Sequence, residues 1–150
     1  MRKGQTAMEY LMTYGWAILI ILIVAGVLAY YGVFSPSGFL GPSARGFAEV
    51  YILQPWSFNA AGTLTFKIEN RVGADITLTN AYGKIGTTSQ TVALSGTITA
   101  GEQSGFLTSA FTSLNGTSGN SYSLDLWLEY YTTNSSVRFN STGTLSGTRA

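Results

Sequence analysis

Between Tyr10 and Ala44 the chain carries no charged residue, and inside that run Trp16 to Phe34 is nineteen residues without Asp, Glu, Lys, Arg, Asn or Gln. About 20 apolar residues at 1.5 Å rise span the ~30 Å hydrocarbon core of a bilayer, so the run is read first as a transmembrane helix. Ser35-Pro36 ends it, because the residue before a proline is pushed out of the α region. Arg2 and Lys3 lie ahead of it. The tendency of basic residues to stay on the cytoplasmic side puts that end inside and everything after Phe34 outside. A cleaved secretory signal is the competing reading, but its apolar region is only about 7–15 residues long. Here the polar stretch Gly4-Gln5-Thr6-Ala7-Met8-Glu9 also separates the basic residues from the apolar run. Glu9, at the edge of a span where acids are costly, needs a reason to be there.

Composition removes whole classes of function. The chain has 150 residues, no His and no Cys, which excludes thiol nucleophiles, Ser-His-Asp triads, Cys/His zinc sites and disulfides. Its 8 Lys+Arg against 7 Asp+Glu give a net +1, too weak a field for a nucleic-acid binder. Only 10% of residues are charged, against roughly 25% in an average soluble domain.

Lys3-Gly4-Gln5-Thr6-Ala7-Met8-Glu9-Tyr10-Leu11, running into Gly15-Trp16-Ala17-Ile18-Leu19, resembles the class III signal peptide of archaeal type IV pilins. The resemblance covers residues 2 to 34; the remainder fits only the family's general plan. It implies that a prepilin peptidase cuts between Gly4 and Gln5, removing residues 1–4 and keeping the helix of residues 5–34. Glu9 then becomes the fifth residue of the mature chain, where the family carries its acid. The implied function is that of a filament subunit, a homo-oligomer raised by membrane-bound assembly machinery with an ATPase. The filament is extracellular, and its usual task is adhesion to cells or abiotic surfaces.

Residue chemistry bears on the same positions independently. A cut after Gly4 leaves a new ammonium on Gln5, and Glu9 sits one turn in from it. Facing the amine of a neighbouring subunit, Glu9 forms a poorly solvated pair that sets axial register more than it adds stability. The plainer reading is a first-turn acid favoured by the helix dipole, worth ~0.3–1 kcal/mol. Ala25 and Ala29, four apart and flanked by Gly26 and Gly32, make a small-residue face that lets helices approach closely. Such residues are also simply common in membrane spans, and both readings stand.

Residues 35–46 hold three Gly, two Pro and three Ser and read as a hinge, with Phe39-Leu40 as a packing anchor. From residue 47 to 150 the period becomes two. Strands are expected over Phe47–Gln54, Leu64–Glu69, Ile76–Thr79, Thr91–Leu94, Gly96–Thr99, Gly105–Phe111, Tyr122–Tyr131 and through Val137 and Phe139. Asn70–Ala74 is read as a hairpin turn joining the second and third. Eight short strands at this spacing suggest a β-sandwich of immunoglobulin-like type, making the whole chain α+β. On the longest strand Tyr122, Leu124, Leu126, Leu128 and Tyr130 face one way. Trp127 and Tyr131 fall on the other face, there to pack on the helix or a neighbouring subunit, or to be covered within the domain.

Three sequons, Asn115-Gly-Thr117, Asn134-Ser-Ser136 and Asn140-Ser-Thr142, sit in turn-like or loop-edge contexts and are candidate N-glycosylation sites. Asp125 and Glu129 share a strand face with Trp127 between them, a conceivable carboxylate pair. They are read as solvating charges instead. Asn115–Asn120 lacks the acids of a calcium loop. No enzyme, metal or cofactor site is expected. The leading reading is the filament subunit; the alternative is a β domain tethered to the membrane that binds a ligand at the cell surface without polymerising.

Overall fold

The computed structural model describes residues 2–31 and 41–150, with the side chains of Arg2, Lys3 and Gln5 outside the description. The chain divides into two units, residues 1–39 and 40–150. The first is one α-helix, α1, Arg2–Tyr30, of 29 residues and therefore about 44 Å long. It begins ahead of Gln5, so the Gly4–Gln5 bond lies within a continuous helix. Tyr31 N–H closes the last turn by donating to Val27 O at 3.0 Å. Gly32, the end of the expected helix at Phe34, and Phe39-Leu40 fall outside the described residues.

The second unit is all β. Its strands are β1 Ser43–Arg45, β2 Val50–Phe58, β3 Thr63–Asn70, β4 Ile76–Ile85, β5 Thr88–Ile98, β6 Leu107–Ala110, β7 Ser121–Thr132 and β8 Arg138–Thr148. They form a five-stranded sheet, β1-β8-β7-β4-β5, and a three-stranded sheet, β2-β3-β6. The order differs from that of an antibody constant domain, but two antiparallel sheets enclosing one core make the body a sandwich. The α+β reading of the chain holds.

Period-two patterning explains the core. On β7, Tyr122, Leu124, Leu126, Leu128 and Tyr130 are buried while the intervening residues point outward. From the opposite sheet, Ile52, Phe58, Leu64, Phe66 and Ile68 close over them. β4 begins with Ile76 and Leu78 inward, but its register shifts between Leu78 and Asn80, and afterwards Ala81 is the buried residue. A bulge of this kind inserts one residue and re-aims the side chains beside it.

Several expected boundaries change. Asn70–Ala74 is not a hairpin: β3 pairs with β2 and β6, and β4 pairs with β5 and β7, so the segment carries the chain from one sheet to the other. Asn70 is buried at this corner, where its Nδ2 donates to Ala74 O at 2.8 Å and Ile98 O at 3.0 Å. Alternation reports which face of a strand is buried and is silent on which sheet the strand joins. A tight hairpin instead joins β4 to β5 through Gly86-Thr87, with Gly86 at φ +59° in the position a two-residue turn reserves for glycine. The strands expected at Thr91–Leu94 and Gly96–Thr99 are one strand, β5. Part of the expected hinge is strand as well, since Ser43, Ala44 and Arg45 pair with Ser146, Leu145 and Thr144 of β8.

Candidate functional site

The helix and the outer face of the five-stranded sheet carry the residues of interest. Thr6–Tyr30 is long and apolar enough to cross a membrane, with a mean hydropathy of 2.4 over its most apolar window. Its side chains are exposed along the shaft, Trp16, Ile21 and Leu22 each by about two thirds of their surface. A soluble domain rarely leaves a continuous apolar surface of this length uncovered. Ala25, Gly26 and Ala29 are exposed too, and a Cβ built on Gly26 meets no atom within 4 Å. A second helix therefore has room to approach closely there.

Glu9 is exposed, and its carbonyl accepts a hydrogen bond from Thr13 Oγ1 at 3.0 Å. In the helix as it stands, Glu9 lies beyond the first turn, which holds no acid. Dipole stabilisation fades within one turn, so it accounts for Glu9 only if the residues before Gln5 are removed. Gly4 is exposed in the first turn with open space around its Cα.

The sequons occupy three different settings. Asn115 is exposed in irregular chain after a 3-10 turn at Thr112–Leu114, and Asn134 is exposed in the turn between β7 and β8. Asn140 departs from expectation. It lies within β8 opposite Glu129, exposed, while the next residue, Ser141, is buried and donates to Val50 O at 3.2 Å. β8 holds few apolar residues, and its pairing with β7 extends it through the sequon.

On the outer face of the five-stranded sheet, Tyr82 and Trp127 are cross-strand partners with rings stacked at 4.3 Å and 7°. Trp127 is thus covered within its own domain on one ring face and remains 40% exposed. Beside the pair, the β4 bulge directs Thr79 Oγ1 and Asn80 Nδ2 onto Glu129 Oε2, each at 2.6 Å. Arg138 Nη1 donates to the same oxygen at 3.0 Å. The hydrogen bonds from Thr79 and Asn80, with Arg138 adding to them, hold Glu129 below the usual carboxylate range. Asp125 is engaged separately, accepting from Thr144 Oγ1 at 2.9 Å. The two carboxylates are therefore not brought to a common point. Asn80, Tyr82, Thr91, Trp127, Glu129 and Asn140 line a hollow of about 180 Å³.

Two polar arrangements at the edge of the core have no signal in the sequence. Arg149 is 7% exposed and donates to Asn59 O at 3.2 Å and Leu114 O at 2.9 Å, with its guanidinium 4.4 Å above the Phe58 ring. Gly116 makes room for it, since a Cβ there would lie 2.7 Å from Arg149 Nε. Tyr130 donates its hydroxyl proton to Glu49; burial first and that carboxylate second push the phenol well above its ordinary range. Among the described residues, no cluster of three or more His, Cys, Asp or Glu is placed to hold a metal ion.

No protein-family profile matches the chain, and no curated protein matches it. Among solved structures it is similar to a chain of the archaeal flagellum of Methanospirillum hungatei strain JF1, at 14% identity and a TM-score of 0.31, over 90% of this chain and 98% of that one.

Proposed function

We propose that the chain is the structural subunit of an extracellular archaeal filament of type IV pilus kind, held in the membrane as a precursor and polymerised through α1. The observation that carries this reading is the exposed apolar shaft Thr6–Tyr30 with an acid, Glu9, at its start. A bilayer alone would cover the apolar side chains but gives no use for a carboxylate at that depth. A bundle of parallel helices covers the same surface and offers each Glu9 the amine of a neighbouring subunit, once cleavage after Gly4 exposes it on Gln5. Moving the helix from lipid into such a bundle exchanges one apolar setting for another, so close packing at Ala25, Gly26 and Ala29 and the register pair must select the arrangement. A head-to-tail contact that does not close yields an open helical polymer. The β bodies then coat the outside, where adhesion is their proposed task.

N-terminal sequencing of protein from the cell surface, with negative-stain microscopy of the same cells, tests this. A mature chain beginning at Gln5 within thin fibres is expected. A membrane-tethered binding module would instead give a smooth coat, and a chain beginning at Met1 in isolated monomers removes the filament reading. Glu9→Ala is expected to be cleaved normally but to assemble poorly; fibre yield equal to that of the unaltered protein would reduce Glu9 to a surface acid.

A further inference from the structure

Asn140 differs from the other sequon asparagines in lying within a strand, diagonal to the exposed Trp127. β7 runs between β4 and β8, so the Trp127 ring face not covered by Tyr82 is turned toward β8. The residue opposite Trp127 on β8 is Thr142, the hydroxyl residue of the sequon, and the residue opposite Glu129 is Asn140. Asn140 and Trp127 are therefore diagonal neighbours on one sheet face, a separation of about 7–8 Å that an aromatic ring reaches across. Both line the same hollow, which is otherwise walled by Asn80, Tyr82, Thr91 and Glu129. The hollow thus sets the two stacked rings beside amide, hydroxyl and carboxylate groups. A pyranose matches that division, with C–H groups on one face and hydroxyls around its edge.

The geometry points to Asn140 as an N-glycosylation site whose first sugar lies on the free face of Trp127, so that the chain's own glycan covers the stacked pair. The donor class is a lipid-phosphate-linked oligosaccharide. Asn140 Nδ2 forms a bond to the anomeric carbon as the bond from that carbon to the lipid phosphate breaks; the amide gives up one proton and the lipid phosphate leaves. Ser141 is buried in the finished sheet, so transfer takes place before β8 closes onto β7. Asn115 and Asn134 lie outside the strand ladders, and Asn134 borders a separate hollow of about 460 Å³ with Tyr131. The inference rests on the proposed outside location of the body and is independent of polymerisation.

The test uses full-length protein isolated from the cell surface. Cleavage after Arg138 and Arg149 releases Phe139–Arg149, and mass spectrometry reads whether Asn140 in that peptide carries sugar. Acrylamide quenching of tryptophan fluorescence is then compared between the unaltered protein and Asn140→Gln. Sugar on Asn140, with stronger quenching in Asn140→Gln, is expected. In Trp127→Ala the Asn140→Gln change should leave the remaining quenching, and the difference in Tm, close to nothing. An unmodified peptide overturns the proposal. So does a modified one whose removal leaves Trp127 no more accessible. Fibres with unmodified Asn140, or modified Asn140 without fibres, separate this inference from the proposed function.

Discussion

Replacing Arg149 by Met tests whether a cation near the end of the chain secures the body. The guanidinium donates to Leu114 O at 2.9 Å in a buried setting and to Asn59 O at 3.2 Å in a partly buried one. Hydrogen bonds from a charged donor contribute about 1.5–3 kcal/mol, and a cation over an aromatic ring about 0.5–2 kcal/mol. Desolvation opposes both; it is the burial that lowers the Arg149 pKa, with Tyr122 acting in the opposite direction. Methionine keeps most of the stem's packing but leaves the Leu114 carbonyl without this donor. A net loss of roughly 2–3 kcal/mol is expected, a fall of about 10–20 °C in Tm for a body of this size. Circular dichroism of the full chain in detergent micelles, followed through the thermal transition of the sheets, measures it. Arg71→Met is the control, because Arg71 pairs with Glu69 at 2.7 Å while half exposed, and such pairs contribute at most about 1 kcal/mol. If Arg149→Met unfolds no earlier than Arg71→Met, the guanidinium is not a structural tie and the argument from its two carbonyls fails.

Gly4→Val should block leader removal and leave a slightly larger membrane-bound band on a gel; normal processing would refute the cut site. Ser109 is fully buried and its hydroxyl finds no partner, so Ser109→Ala should leave denaturant stability unchanged or raise it by up to about 1 kcal/mol, and a clear loss would mean the hydroxyl is bonded after all. Glu129 has its folded pKa lowered from an ordinary 4.5, so its contribution is present above that value and is lost as pH falls through the folded pKa. Denaturant midpoints followed from neutral pH downward should therefore fall less steeply in Glu129→Gln; identical acid limbs would count against the Thr79–Asn80–Arg138 cradle. Tyr130 has its pKa raised from 10.0, so its contribution is complete below that value and declines as the pH rises beyond it. Tyr130→Phe should show a shallower alkaline limb in the same measurement.

The helix and β7 are legible in the sequence because each repeats one message over many residues: an uninterrupted apolar shaft, and a strict alternation from Tyr122 to Tyr130. β8 is legible only at its start, where a strand is expected through Val137 and Phe139, because Asn140-Ser141-Thr142-Gly143-Thr144-Leu145 beyond it offers one strongly apolar side chain. Its strand character comes from pairing with β7 on one edge and with β1 on the other. The same limit hid the corner at Asn70, where β3 and β4 both point apolar residues inward but from opposite sheets, an arrangement no local period can distinguish from a hairpin. Gly86-Thr87 did carry a readable turn signal, glycine at the first of two turn positions. The outer face of the five-stranded sheet was half legible. Alternation placed Trp127 and Glu129 outward, but the bulge that turns Thr79 and Asn80 onto Glu129 depends on a register shift visible only once β4 lies beside β7. Asn140 belongs to the same case: its sequon is plain in the sequence, yet its neighbourhood with Trp127 exists only through cross-strand register. A motif names the chemistry a residue can undergo, and the register of the sheet decides what that residue, once modified, will rest against.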